Sequence, residues 1–143
     1  MKDFQFEFRW SRLKDISGGD FICGTELGKL RSSFSGPAIY RWVIEFSGQS
    51  LKVYIGETEE LGRRLYQYLN PGSTQHSNLR LREEFLLAKA QGQEVFLERL
   101  EFEPFTLNGV RVSVEELNRK YIRRLLEALI CLQLNEGVIS LNR

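Results

Sequence analysis

The order of apolar periods along the chain predicts an α+β fold, with a small, mostly antiparallel sheet flanked by helices. Two strand-period segments, PAIYRWVIEF (37–46) and SLKVYIG (50–56), follow one another with no helix between them. Two helical-period segments come next, and only then do strands return. There is no strand–helix–strand alternation and no glycine-rich phosphate loop, which argues against a doubly wound nucleotide-binding fold.

The elements follow in order. Phe4, Phe6, Phe8 and Trp10 alternate with Gln5, Glu7 and Arg9, the period of a half-buried strand. Residues 11–36 are rich in Gly and Ser and read as loops, with one short helix near Thr25 to Leu30. The strands 37–46 and 50–56 join around Ser47-Gly48-Gln49 as an antiparallel hairpin. An odd loop there, or a bulge, puts Tyr40 and Tyr54 on one face, because side chains alternate along a strand. Thr58 is placed to cap the next helix, with Glu59 and Glu60 in its first turn. Leu61, Leu65, Tyr68 and Leu69 recur at helical spacing until Asn70-Pro71-Gly72 stops them. A second helix is expected from Ser77 to Gln91, ended by Gly92, then a strand over EVFLERLEF (94–102). Asn108-Gly109 marks a hairpin turn. Ser113 and Glu116 form a capping-box pattern opening the longest helix, 114–134, with Leu117, Tyr121, Leu125 and Leu129 on one stripe. VISLNR (138–143) reads as a short closing strand.

The chain has 143 residues, 42% hydrophobic and 27% charged, which fits a single compact domain rather than a disordered tail. No apolar run approaches the ~20 residues that span a bilayer, and MKDFQFEFRW lacks a signal peptide's continuous apolar stretch. Cys23 and Cys131 form neither a disulfide framework nor a metal spacing. These features point to a cytoplasmic protein with reduced thiols and no membrane partner. The net charge of +1 leaves nucleic acid open. Arg63, Arg64, Arg80, Arg82, Arg119, Lys120, Arg123 and Arg124 fall on the three expected helices, where they face either solvent and nearby glutamates or the phosphates of a nucleic acid. Glu127 stands four residues after Arg123 and three after Arg124, an ordinary surface pairing arrangement.

Composition and periodicity name no activity, but a set of residues does. AIYRWVI, followed after a hairpin by VYIGET, resembles the GIY-YIG nuclease family. The resemblance covers about residues 37–143 and leaves 1–36 as an N-terminal extension, a strand and loops packed on the same domain. It extends to Arg64 in the helix after YIG, Tyr68 one turn later, His76 before the second helix, Glu127 in the long helix and Asn142 near the end. Two positions depart from the family pattern. Ala38 stands where glycine is usual, and Tyr68 stands where histidine is commoner, so the group that moves the proton stays open among Tyr40, His76 and Tyr68.

What the resemblance implies is a metal-dependent endonuclease hydrolysing DNA phosphodiester bonds, with one divalent ion, Mg²⁺ or Mn²⁺, on Glu127. Arg64 would grip the scissile phosphate with its planar, permanently charged fork. Tyr40 would orient or deprotonate water, although a phenol of ordinary pKa ~10 is a poor base without help. Tyr54 would bond phosphate or water. Gly56, Asn142 and Arg63 would serve substrate binding, Arg63 through a flanking phosphate unless it meets solvent or an acid. Tyr40, Tyr54, Arg64 and Glu127 are expected on one concave surface. A homodimer and a separate DNA-recognition partner both remain open. So do two other readings: a non-catalytic nucleic-acid-binding module on the same fold, and a dimerisation module built on FQFEFRW.

Overall fold

The structure is a computed structural model that describes residues 6–13, 35–46, 50–69, 76–134 and 138–142. The expected helix near Thr25 to Leu30, the turn at Ser47-Gly48-Gln49 and the stop at Asn70-Pro71-Gly72 lie outside these residues. Within them the fold is α+β. Strands β1 (Phe8–Arg12), β4 (Glu94–Phe102), β2 (Ala38–Phe46), β3 (Ser50–Thr58) and β7 (Val138–Ser140) form one sheet in that spatial order. Neighbours pair antiparallel except β3 with β7, so the sheet is mixed. Helix α3 (Lys120–Leu132) packs on β3 and returns the chain to its start, so β7 enters parallel to it.

The central strand β2 explains why AIYRWVI is a nearly unbroken apolar run: it is covered on both faces. On one face Tyr40, Trp42 and Ile44 pack under α1 (Leu61–Leu69) and α2 (His76–Ala90), meeting Leu61, Leu65, Tyr68, Leu81 and Phe85. On the other, Ile39, Val43, Val53 and Ile55 pack under α3 through Ile122, Leu126 and Ile130. The aromatic stripe Phe6, Phe8 and Trp10 joins this second core, with Phe8 opposite Phe102 and Trp10 opposite Leu100. The first strand begins at Phe8, later than its alternation predicts; Phe4 lies outside the described residues. A small hairpin of β5 (Phe105–Leu107) and β6 (Val110–Val112) turns at Asn108-Gly109, both with positive φ (50° and 79°), as this two-residue turn requires. Helix α2 ends at Ala90, and Gly92 just past it, with a φ of 78°, turns the chain so that Gln93 N–H reaches back to the Ala88 carbonyl at 3.0 Å.

Three local expectations fail, each for a physical reason. The helix expected over 114–134 is broken. Val114–Asn118 forms a 3₁₀ turn, Arg119 is extended (φ −97°, ψ 123°), and α3 starts afresh at Lys120. That break shifts the helical phase, so the buried stripe is Ile122, Leu126 and Ile130, and Tyr121 is 64% exposed. The capping box does not form, because the Ser113 hydroxyl bonds the Glu115 carboxylate at 2.6 Å instead of a backbone N–H. Thr58 does not cap α1 directly. Its hydroxyl accepts from Glu60 N at 3.2 Å, and the Glu60 carboxylate accepts from Gly62 N at 3.2 Å and from Gly36 N at 2.9 Å, making Glu60 the cap.

Candidate functional site

Register places the tyrosines. Phe46 pairs with Ser50 across three intervening residues, so Tyr40 stands opposite Gly56, and Trp42 opposite Tyr54. All four therefore share the face that α1 covers. The Tyr40 ring lies across Gly56 so closely that a Cβ at that position would clash with the phenol oxygen and ring. Gly56 is thus required by close approach, with the tyrosine as the approaching group. Tyr68, carried over the strands by α1, completes the cluster: its hydroxyl is 2.8 Å from that of Tyr40. Its ring stands edge-on to Tyr40, Trp42 and Tyr54 at 6.2, 5.7 and 6.4 Å.

Tyr40 and Tyr68 are 1% and 0% exposed. Burial pushes the Tyr40 phenol well above the usual range, with Tyr54 and Glu127 adding to the rise while the Tyr68 hydrogen bond and Arg64 oppose it. Burial raises Tyr68 too, reinforced by Tyr40 and Tyr54 and opposed by Arg64. Both are neutral phenols at physiological pH, so neither serves as a resident base. Arg64 acts electrostatically on Tyr40. His76 is the exposed first residue of α2, and no contact joins it to the tyrosines among the described residues.

Arg64 and Glu127 approach from different sides. Glu127 lies on α3, which packs on the sheet face opposite α1, yet its charge reaches both Tyr40 and Arg64. The two line separate clefts. One, of about 430 Å³, is formed by Glu57, Arg124, Glu127, Ala128 and Cys131. The other, of about 360 Å³, is formed by Glu57, Thr58, Glu59, Arg63, Arg64, Gln67, Lys120 and Arg123. Glu57, the residue after Gly56, lines both. The single concave surface expected for Tyr40, Tyr54, Arg64 and Glu127 is instead two clefts sharing Glu57, and neither tyrosine lines either of them.

Burial raises the Glu127 carboxyl above its ordinary value, the Glu57 charge adds to this, and Arg124 and Arg64 oppose it. No group of three metal-ligating side chains exists among the described residues. The residues nevertheless fit a hydrated Mg²⁺ or Mn²⁺, which needs one or two carboxylates and keeps its waters. Glu127 supplies a half-buried carboxylate at an open cleft beside a second acid, where a cation relieves like-charge repulsion.

Arg63 meets an acidic side chain, Glu59, at 2.7 Å, an exposed pair of small energetic weight. Arg64 has no ion pair or side-chain hydrogen bond among the described residues. Asn142 is engaged structurally. It accepts from Ile55 N at 2.9 Å and donates to Ile55 O at 2.6 Å, so its amide continues the β3–β7 pairing beside Gly56.

Two residues escaped sequence reasoning. The sequence gives Glu57 no role, and its spacing marks Arg123 as a surface cation paired with Glu127 or facing phosphate. Arg123 is instead 4% exposed and donates its Nε to Glu57 at 2.6 Å. The available signal was position: Glu57 occupies an inward register on the α3 face, two residues after buried Ile55, where a charge demands a partner. Comparison with protein-family models, with curated proteins and with solved structures finds no match.

Proposed function

We propose that the chain is a metal-dependent endonuclease of the GIY-YIG type that hydrolyses DNA phosphodiester bonds. The observation that carries this reading is the packing of Tyr40 across Gly56 with Arg64 and Glu127 both in electrostatic reach of its hydroxyl. That links residues of the motif carried by four elements, β2, β3, α1 and α3.

On this reading Arg64 receives the scissile phosphate in the cleft it lines, where a guanidinium offers two parallel donors. Glu127, with Glu57 beside it, holds one Mg²⁺ or Mn²⁺. When bound, such an ion supplies positive charge to a phosphodiester and makes water more acidic. Tyr40 stays protonated, its phenol held in place by the Tyr68 hydroxyl. Lys120 adds a second cation at the cleft wall for a neighbouring phosphate. Incubation with supercoiled, linear and branched DNA, with and without Mg²⁺ or Mn²⁺, tests the reading. Divalent-dependent cutting that EDTA stops supports it, and intact DNA under every condition removes it.

One observation favours a second reading, a non-catalytic nucleic-acid-binding module on the same fold. The hydroxyls of Tyr40 and Tyr68 are buried against each other rather than presented to a cleft. DNA binding by a folded protein that never cuts is the outcome this reading expects.

A further inference from the structure

Arg123 lines the basic cleft yet offers it little. Its side chain is 5% exposed, its Nε is given to the Glu57 carboxylate at 2.6 Å, and its Nη1 to the Leu117 carbonyl at 2.9 Å. One guanidinium thus ties three pieces of chain: the end of β3 just past Gly56, the 3₁₀ turn and the first turns of α3. Glu127 follows four residues later on the same face of α3. Stability alone does not account for such a pair, since desolvating two charges offsets most of their attraction and apolar residues of equal volume do as well. What charge-assisted hydrogen bonds add is direction.

We infer that Arg123 is a positioning residue: by clamping Glu57 and the Leu117 carbonyl, it sets α3 against the end of β3 and so fixes where the Glu127 carboxylate stands. The inference rests on the nuclease reading, in which Glu127 holds the divalent ion. It also explains why Glu57 borders both clefts. The clamped carboxylate is the fixed ridge between the ion-holding side and the phosphate-holding side.

The test is Mn²⁺ affinity, measured by electron paramagnetic resonance on the full chain. Wild type, Arg123→Met, Arg123→Lys and Glu127→Ala are compared well below each protein's unfolding temperature, with circular dichroism as the check on folding. Removing a cation near an ion site tightens binding if charge alone matters, whereas loss of positioning weakens it. Arg123→Met is expected to weaken Mn²⁺ binding by ~10-fold or more, the usual scale for groups that orient a metal ligand. Arg123→Lys keeps the charge but loses the fork, so it too binds more weakly than wild type, and it carries the test if Arg123→Met does not fold. A purely structural role lowers the unfolding temperature and leaves the affinity of the folded protein unchanged. Unchanged or tighter Mn²⁺ binding by either folded variant, with wild type still cutting DNA, overturns this inference alone. A wild type that neither binds Mn²⁺ nor cuts DNA overturns the nuclease reading and the role of Arg123 with it.

Discussion

The hydroxyl oxygens of Tyr40 on β2 and Tyr68 on α1 lie 2.8 Å apart, and Gly56 is the floor beneath the Tyr40 ring. Strand, helix and glycine are thereby interlocked at one point. Gly56→Ala drives a methyl group into a ring that is 1% exposed, packed in the core and held by Tyr68. The expected cost is about 1–3 kcal/mol, the range for overpacking a close-packed core. Urea denaturation of the two proteins measures it, and a loss under ~0.5 kcal/mol, the scatter of ordinary surface substitutions, contradicts the contact.

The same pair predicts alkaline sensitivity. Both phenols are raised in the folded protein, so the folded chain holds protons that the unfolded chain releases above its phenol pKa of ~10. Their contribution is intact below that value and is lost as pH rises through the folded pKa, so stability declines above about pH 10. Denaturant midpoints from pH 8 upward should fall less steeply for Tyr40→Phe/Tyr68→Phe than for wild type. Parallel curves would mean the two hydroxyls ionise as they do in the unfolded chain.

Much of this was legible in the sequence, and the limits have physical causes. The strands around Tyr40 and Tyr54 announced themselves through period and hairpin spacing, because a two-faced central strand tolerates few polar residues. The start of α3 was not legible, since Ser113 and Glu116 suit a capped helix and a 3₁₀ turn equally. Only the extended Arg119 decides between them. Arg123 misled for a different reason. Its spacing to Glu127 is that of a surface pair, but its partner, Glu57, lies 66 residues away and is visible only once α3 crosses β3. The motif residues were found by order alone; their division between two clefts depends on how the helices pack on opposite faces.

Glu127 carries a stability signature separate from any activity. Its carboxyl is raised by burial and by Glu57, so the charged form is disfavoured in the folded state. The associated stability is present below the ordinary carboxylate pKa and lost as pH rises through the folded value. Glu127→Gln cannot ionise, so its midpoint relative to wild type should rise between pH 4 and pH 7. A difference that shrinks over that interval contradicts the assigned direction.

Arg63 and Arg64 are about 100° apart around α1 and have different surroundings. Arg63 is held by exposed Glu59, while Arg64 acts on the tyrosines and Glu127. Arg64→Lys keeps the charge and loses the fork, and should slow single-turnover cleavage at least ~10-fold, equivalent to ~1.4 kcal/mol. Arg63→Lys should leave turnover near wild type and alter mainly salt-dependent DNA affinity. The reverse ranking would place the alignment of this helix one residue out of register.

Cleavage of plasmid DNA by wild type and Glu127→Ala, each titrated with Mg²⁺, tests most directly whether Glu127 holds the ion of a nuclease centre. Wild type is expected to nick or linearise the plasmid in a Mg²⁺-dependent way, and Glu127→Ala, with an undiminished denaturation midpoint, is expected to leave it intact. Equal cleavage by both proteins, with the same Mg²⁺ dependence, would contradict that role of Glu127.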